Sequence, residues 1–286
     1  MADEQDPIDS IVTRIVCSSP PGHLADVAAN CRQLLQADTD VMSDACRAYN
    51  EAELLALPVG TSCGVVCEYG RSHDEPQAYL APGGQVFRVD HEHQVCLRAS
   101  PATGSCAQPG QVFREAVERE LELYPFASGR CPAVAGNAVY LDESDAIGLR
   151  VVRSSRCTRP QGFWSVRWSS TWHVTWAIGQ DAPIVACGRI DFRTHYGEDG
   201  NMHFRHGDEK TVCVKETSDP AAFARELISW IRKAEGQFVD EVTELCAGFG
   251  GLKSFRRTLS LSKERFDWRP VRHALIRDVK GALKDV

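Results

Sequence analysis

Two histidines alternate in Asp90-His91-Glu92-His93, and the chemistry that pattern invites is metal ligation. A third ligand at a recognisable spacing is missing, so the pair reads as alternate residues of a strand, and no metal or other cofactor is expected. Gly248-Phe249-Gly250-Gly251 has the glycines of a phosphate loop but lacks the Lys and Ser/Thr that should follow. It also comes after a helical pattern, where a phosphate loop follows a strand, so it reads as a helix stop and hinge. Glu198 and Asp199 are adjacent carboxylates that acid–base catalysis would use, yet Gly-Glu-Asp-Gly-Asn is equally the composition of a polar hairpin turn. The twelve cysteines are scattered singly, with no CxxC and only Cys63 and Cys67 close together, and nothing marks one as a nucleophile beside a histidine. Reduced, mostly buried thiols are expected, and no enzyme.

The densest feature is aromatic. Residues Phe163 to Trp176 hold four of the six tryptophans, four residues apart, a spacing that fits a helix or a strand. Even positions read Trp164, Val166, Trp168, Ser170, Trp172, Val174 and Trp176, and odd positions read Ser165, Arg167, Ser169, Thr171, His173 and Thr175. That is period two, hence one long antiparallel strand with an apolar face. Tryptophans beside Arg167 could stack nucleic-acid bases, but the body of the chain is acidic and the odd face carries a single charge, so a core strand is expected and no nucleic acid.

Such a strand needs long neighbours and a covering element. Residues 8 to 57 read as two or three short helices broken at Ser19-Pro20-Pro21-Gly22, and 1–57 is expected to form a helical N-terminal unit. Short strands are expected at 64–69, 85–90 and 94–99 and a helix at 111–124, in a small strand and helix globule spanning 58–134. An antiparallel meander should occupy 135–217, with strands at 138–141, 147–153, the tryptophan segment, 184–196, 202–206 and 211–214, and a turn at 197–200. Asp219-Pro220 starts a helix, and Phe223, Leu227, Trp230, Ile231, Ala234, Phe238, Val242 and Leu245 hold helical register in 218–250. The fold class is therefore α+β, a meander sheet covered by a long C-terminal helix.

Of 286 residues, 43% are apolar and 25% charged, as in an ordinary soluble globular protein. The N-terminus, MADEQDPIDS, is acidic where a signal peptide is basic and then apolar, and no apolar run reaches the roughly 18 residues of a membrane span. A cytoplasmic protein that does not cross a membrane is expected. The net charge of −7 is unevenly spread: residues 253–286 carry +6 and the rest −13. After the glycines, Trp268, Val271, Leu275, Val279 and Leu283 form the apolar edge of a basic amphipathic helix in 251–286, with no sequence-adjacent core to receive it. Its partner should be an acidic protein or a membrane surface.

Three blocks carry a family resemblance: Phe-Trp-x-x-Arg-Trp-x-Ser-x-Trp; Tyr196-x-Glu198-Asp199-Gly200-Asn201; and Arg256-Arg257-x-Leu259 followed by Phe266-Asp267-Trp268. Together they resemble the α subunit of the heterodimeric F-actin capping protein, over a stretch from about Ile11 to the end that thins between Leu57 and Gly136. The resemblance implies the capping protein α/β heterodimer fold, with a helical stalk, a sheet joined to that of a β subunit, and a basic C-terminal tentacle that meets the barbed end of F-actin. It implies actin contact through Lys253, Arg256, Arg257, Lys263, Arg265, Trp268 and Leu275, and assigns Trp164, Trp168, Trp172 and Trp176 to the core or subunit-interface strand. It further implies a cytoskeletal location, with phosphoinositides and capping-protein regulators as additional ligands. Where family members usually read Leu-Pro-Val-Thr-Arg, this chain has Leu259-Ser260-Leu261-Ser262-Lys263, which loses the rigidity of proline and exchanges an arginine for a lysine while keeping the charge. Two other readings fit the same residues: a structural subunit of a dynactin-like or axonemal assembly with little free capping, and a membrane-surface module.

Overall fold

The computed structural model describes residues 5–35, 39–72, 75, 77–101, 110–126, 134–142, 147–159, 164–176, 184–196, 202–214 and 219–248. The chain opens with three helices, α1 (Gln5–Cys17), α2 (Leu24–Leu35) and α3 (Thr39–Ala52). Val12, Val16, Leu24, Ala28, Cys31, Met42, Ala45, Cys46 and Tyr49, spaced three, four or seven apart within each helix, bury one shared core. The break between α1 and α2 holds Gly22 at φ 86°. A Cβ there would strike the Ser165 side chain, so the turn is seated directly on the tryptophan strand.

Five short strands follow: β1 (Leu55–Val59), β2 (Ser62–Val66), β3 (Ala78–Ala81), β4 (Gln85–Asp90) and β5 (Val95–Pro101). β1 and β2 form a hairpin, and β3, β4 and β5 a meander, with Leu55, Leu57, Val66, Tyr79, Phe87 and Val89 in their common core. The sequence reading had run helix on to residue 57 and had no strand at β1 or β3. Leu54 at φ 49° turns the chain out of α3, and Pro58 bars a helix, so the short apolar run Leu55-Ala56-Leu57 becomes a buried strand.

After α4 (Gln111–Glu122) come β6 (Val134–Asp142), β7 (Ile147–Arg159), β8 (Trp164–Trp176), β9 (Ile184–Tyr196) and β10 (Met202–Val214). They form one antiparallel sheet in sequence order, β6 to β10. β10 corrects the two short strands expected at 202–206 and 211–214. It pairs with β9 without interruption, Gly207 opposite Asp191 and Glu209 opposite Arg189, so Gly207-Asp208-Glu209 is strand although its composition suggests a turn. The turn expected at 197–200 lies outside the described residues.

The last described element is α5 (Pro220–Gly248), with the Asp219 side chain accepting from the Ala221 N–H at 3.0 Å as an N-terminal cap. Phe223, Leu227, Ile231, Phe238 and Val242 are buried against the sheet with Trp168, Trp172, Ile190 and Phe192. Gly188 lies opposite Trp172, whose indole fills the space a Cβ would need. Two residues counted with the apolar stripe of α5 depart from it: Trp230 is 37% exposed and Leu245 44%. Trp230 stands next to Ile231 in the chain, hence about 100° off the buried line, and the Lys233 ammonium lies 5.2 Å from its ring.

Candidate functional site

Lys253, Arg256, Arg257, Lys263, Arg265, Trp268 and Leu275 lie outside the described residues. Of the tryptophan strand, Trp168 and Trp172 are buried beneath α5, while the side chains of Trp164 and Trp176, at the two ends of β8, are outside the described set. His91 is buried between α3 and β3, its Nδ1 3.3 Å from Asn50 Nδ2 and its Nε2 3.3 Å from Tyr79 Oη. His93 turns outward to Asp90 at 2.9 Å. Among the described residues no three His, Cys, Asp or Glu are arranged to hold a metal ion.

Of the described free thiols Cys31, Cys46 and Cys67 are buried, while Cys17, Cys187 and Cys213 are exposed, so the expectation of mostly buried thiols is met only in part. Burial pushes Cys46 up to about 12 and Cys67 up to about 11, so neither supplies a thiolate near neutral pH. Cys157 departs from the expectation of thiols throughout, because it is disulfide-bonded.

On the α5 side of the sheet, one buried polar cluster ties four elements together. Glu235 of α5 pairs with Arg153 of β7, accepts from Ser170 Oγ of β8 at 2.6 Å, and accepts from Tyr124 Oη, just beyond α4, at 3.0 Å. Arg153 also donates to Asn137 of β6 at 3.1 Å and stacks on the Tyr124 ring at 3.9 Å. Burial pushes the Glu235 carboxyl up, opposed by the Arg153 charge and the hydrogen bonds it accepts. Arg153, Ser170 and Tyr124 all donate within the cluster, which thereby ties α5 to the sheet.

The opposite face carries a cross-strand row of four arginines, Arg156, Arg167, Arg193 and Arg205, each directly opposite the next. Like charges so placed repel, and two carboxylates separate them. Glu53, just after α3, accepts from Arg167 Nη1 at 2.6 Å through one oxygen and from Arg193 through the other. Asp191 takes Arg189 at 2.6 Å and Arg205 at 3.5 Å. Arg156 meets no carboxylate among the described residues; it donates to Gln94 at 3.0 Å, and burial, with Arg167 beside it, pulls it down to about 10. Between this face and the end of α3 lies an open cavity of about 820 Å³, lined by Glu51, Glu53, Arg193 and Asp191 among others. Within the lining, Glu53 holds Arg167 and Arg193, and Asp191 holds Arg189 and Arg205. Sequence reading found only Arg167 of this row; the alternation in Arg189-Ile190-Asp191-Phe192-Arg193 was the signal that a second polar strand face lay alongside.

The other open feature is an edge. Among the described residues β10 pairs with β9 alone, so this 13-residue strand is one edge of the described sheet. α5 crosses the strands toward this edge: Glu235 lies over β7 and β8, His206 of β10 stacks on Phe238 at 5.3 Å, and Glu241 reaches Lys210 of β10 at 3.6 Å. Val242, one residue beyond Glu241, is still buried against the sheet. Among the described residues no helix is long and apolar enough to cross a membrane.

The sequence profile of the F-actin capping protein alpha subunit matches residues 12–278. The chain is 26% identical over 272 residues to the F-actin-capping protein subunit alpha of Emericella nidulans, covering 92% of this chain and 93% of that one. It is 24% identical to the protein of the same name from Caenorhabditis elegans, over 90% of this chain and 92% of the relative, and 24% identical to that from Arabidopsis thaliana, over 99% of each. In structure it is similar to the homodimeric actin capping protein alpha subunit from Plasmodium berghei, with a TM-score of 0.68 at 19% identity over 83% of this chain and 91% of the other.

Proposed function

Because the chain belongs to the family of F-actin capping protein alpha subunits, we propose that it caps the barbed end of actin filaments as half of a heterodimer with a β subunit. Binding there blocks both addition and loss of actin subunits, without severing and without covalent chemistry. The observation that carries this reading is that the family match runs through residue 278, across the whole basic segment from Lys253 to Leu275. The position of β10 at one end of the described sheet supports the joined sheet. Lys253, Arg256, Arg257, Lys263 and Arg265 give encounter and grip on acidic actin, and Trp268 and Leu275 the apolar contact beside them. Anionic phosphoinositide headgroups compete for the same cations, as do regulators that cover the basic patch. The setting is the cytoskeleton.

The test is elongation of fluorescent actin from preformed seeds by the chain co-expressed with its β subunit. Wild type stops barbed-end growth at substoichiometric concentration. With Lys253, Arg257 and Lys263 all changed to Ala, about 100-fold more dimer is needed, as expected for three charged contacts of about 1 kcal/mol each. A folded wild-type dimer that leaves growth untouched overturns capping, and the fold then serves as a structural part of a larger assembly.

A further inference from the structure

The face of the sheet opposite α5 brings a thiol, an imidazole and a carboxylate into line. Cys187 of β9 stands directly opposite His173 of β8 on one flank and Thr211 of β10 on the other. The Thr211 hydroxyl donates to the Cys187 sulfur at 3.7 Å. Facing side chains of an antiparallel pair have Cβ atoms about 4.5–5.5 Å apart, so the imidazole and the thiol are neighbours. A carboxylate lies beyond the imidazole: His173 Nε2 is 3.1 Å from Asp142 Oδ2, angled away from a straight hydrogen bond. Asp142 belongs to β6, two strands away, and reaches His173 past Gly148 of β7, where a Cβ would strike the Asp142 side chain. The order across the sheet is carboxylate, imidazole, thiol, that in which a carboxylate orients a base and the base takes a proton from a nucleophile. We propose that Cys187 is a modification site, whose thiol exchanges with a small zwitterionic disulfide to form a mixed disulfide in the cavity between the sheet and the end of α3, with His173 as the base.

The neighbours single out one thiol. Cys17, Cys187 and Cys213 are the exposed cysteines among the described residues. Burial and the Glu53 carboxylate push the Cys17 thiol up, and Cys213 faces the apolar Val185. Cys187, His173 and Thr211 all line the open cavity of about 820 Å³, a size within the roughly 300–1,000 Å³ of small-molecule sites. Charges of both signs share that lining. Arg189, two residues along β9 from Cys187, is 52% exposed and lies 3.3 Å from Glu209, itself 78% exposed. So exposed a pair is weak, and it can part to take the carboxylate and the ammonium of a zwitterion. The step balances. His173 takes the thiol proton, and the Cys187 sulfur attacks one sulfur of the disulfide. The new S–S bond forms as the ligand's own S–S bond breaks, and the departing thiolate recovers the proton from His173 and leaves as a thiol. One disulfide is consumed and one is formed, so no other oxidant is required.

This goes beyond the capping proposal, since it needs neither a β subunit nor actin, and its failure leaves that proposal standing. The experiment incubates the full chain, its fold checked by circular dichroism, with limiting glutathione disulfide. Remaining thiols are then trapped with N-ethylmaleimide, and the occupancy of each cysteine is read by peptide mass spectrometry. Cys187 is expected to form the mixed disulfide about tenfold faster than Cys17 or Cys213, and the difference should vanish when the chain is unfolded in urea. His173→Gln should slow Cys187 about tenfold and change the pH profile of that rate, while Cys17 and Cys213 keep their wild-type rates and profiles. Neutral hydroxyethyl disulfide and dicationic cystamine test the ligand: each should favour Cys187 over the other two thiols less than glutathione disulfide does. Equal rates at the three cysteines of the folded chain overturn the proposal, as does a Cys187 rate untouched by His173→Gln. The same preference for Cys187 with all three disulfides overturns the zwitterionic ligand.

Discussion

His91 shows how one side chain reports its surroundings. Asn50 Nδ2 points at its Nδ1, and Tyr79, whose hydroxyl donates to Glu51 at 2.7 Å, turns its oxygen toward Nε2. That arrangement fits a neutral imidazole with its proton on Nε2 and leaves no acceptor for a second proton. Burial accordingly pulls the pKa from 6.5 down to about 4. An unfolded chain takes up the proton near pH 6.5 and the folded chain only near 4, so the contribution of neutral His91 is complete above 6.5 and is lost as the pH falls between those values. The loss amounts to something on the order of 3 kcal/mol. Urea unfolding followed from pH 7 to pH 4 should show this slope in the wild type, and His91→Gln should remove it; equal slopes in the two proteins would count against the assignment. The sequence marked His91 and His93 as a pair. It carried no sign that one would be buried and the other exposed, because that division depends on Asn50 of α3, forty-one residues earlier in the chain.

The elements most legible in the sequence were those whose periodicity is long and one-sided. Alternation over Trp164 to Trp176 identified β8, and the three-and-four spacing from Phe223 to Val242 identified α5, since each buries a single face. β1 and β3 escaped because four or five apolar residues have no period. β10 was cut in two because Gly207 and Asp208 favour turns locally, and only pairing with the whole of β9 holds them extended. Glu235 was hidden for another reason. It stands beside Ala234 in an apolar helix, and what admits it is Arg153, on a strand eighty-two residues away. Breaking that pair tests its role in fixing α5: Glu235→Gln leaves the Arg153 charge buried without its counter-ion and should cost about 3–5 kcal/mol in denaturant unfolding. Glu235→Leu with Arg153→Met removes both charges and should recover most of that loss. If the single and double variants are equally unstable, the cluster acts through packing and not through charge.

At the scale of the whole molecule, the body and the basic C-terminal segment are expected to divide the work, and the division can be measured. Among the described residues β10 is paired on one side only, and the proposed heterodimer would join a second half-sheet there. Leu245 lies near the end of α5 and is 44% exposed, so Leu245→Asp should leave the stability of the isolated chain within about 0.5 kcal/mol of wild type. If the proposed joined sheet buries this exposed leucine against the partner, an aspartate there should weaken the dimer by about tenfold or more. The triple alanine change at Lys253, Arg257 and Lys263 should do the reverse, leaving the dimer intact and reducing its hold on actin. Measured side by side, Leu245→Asp should regain normal capping once its concentration is raised enough to restore the dimer, whereas the alanine variant should stay weak at any degree of dimerisation. Were Leu245→Asp to cap fully as a monomer, the joined sheet would not be the unit that meets the filament, and the open edge of β10 would need another occupant.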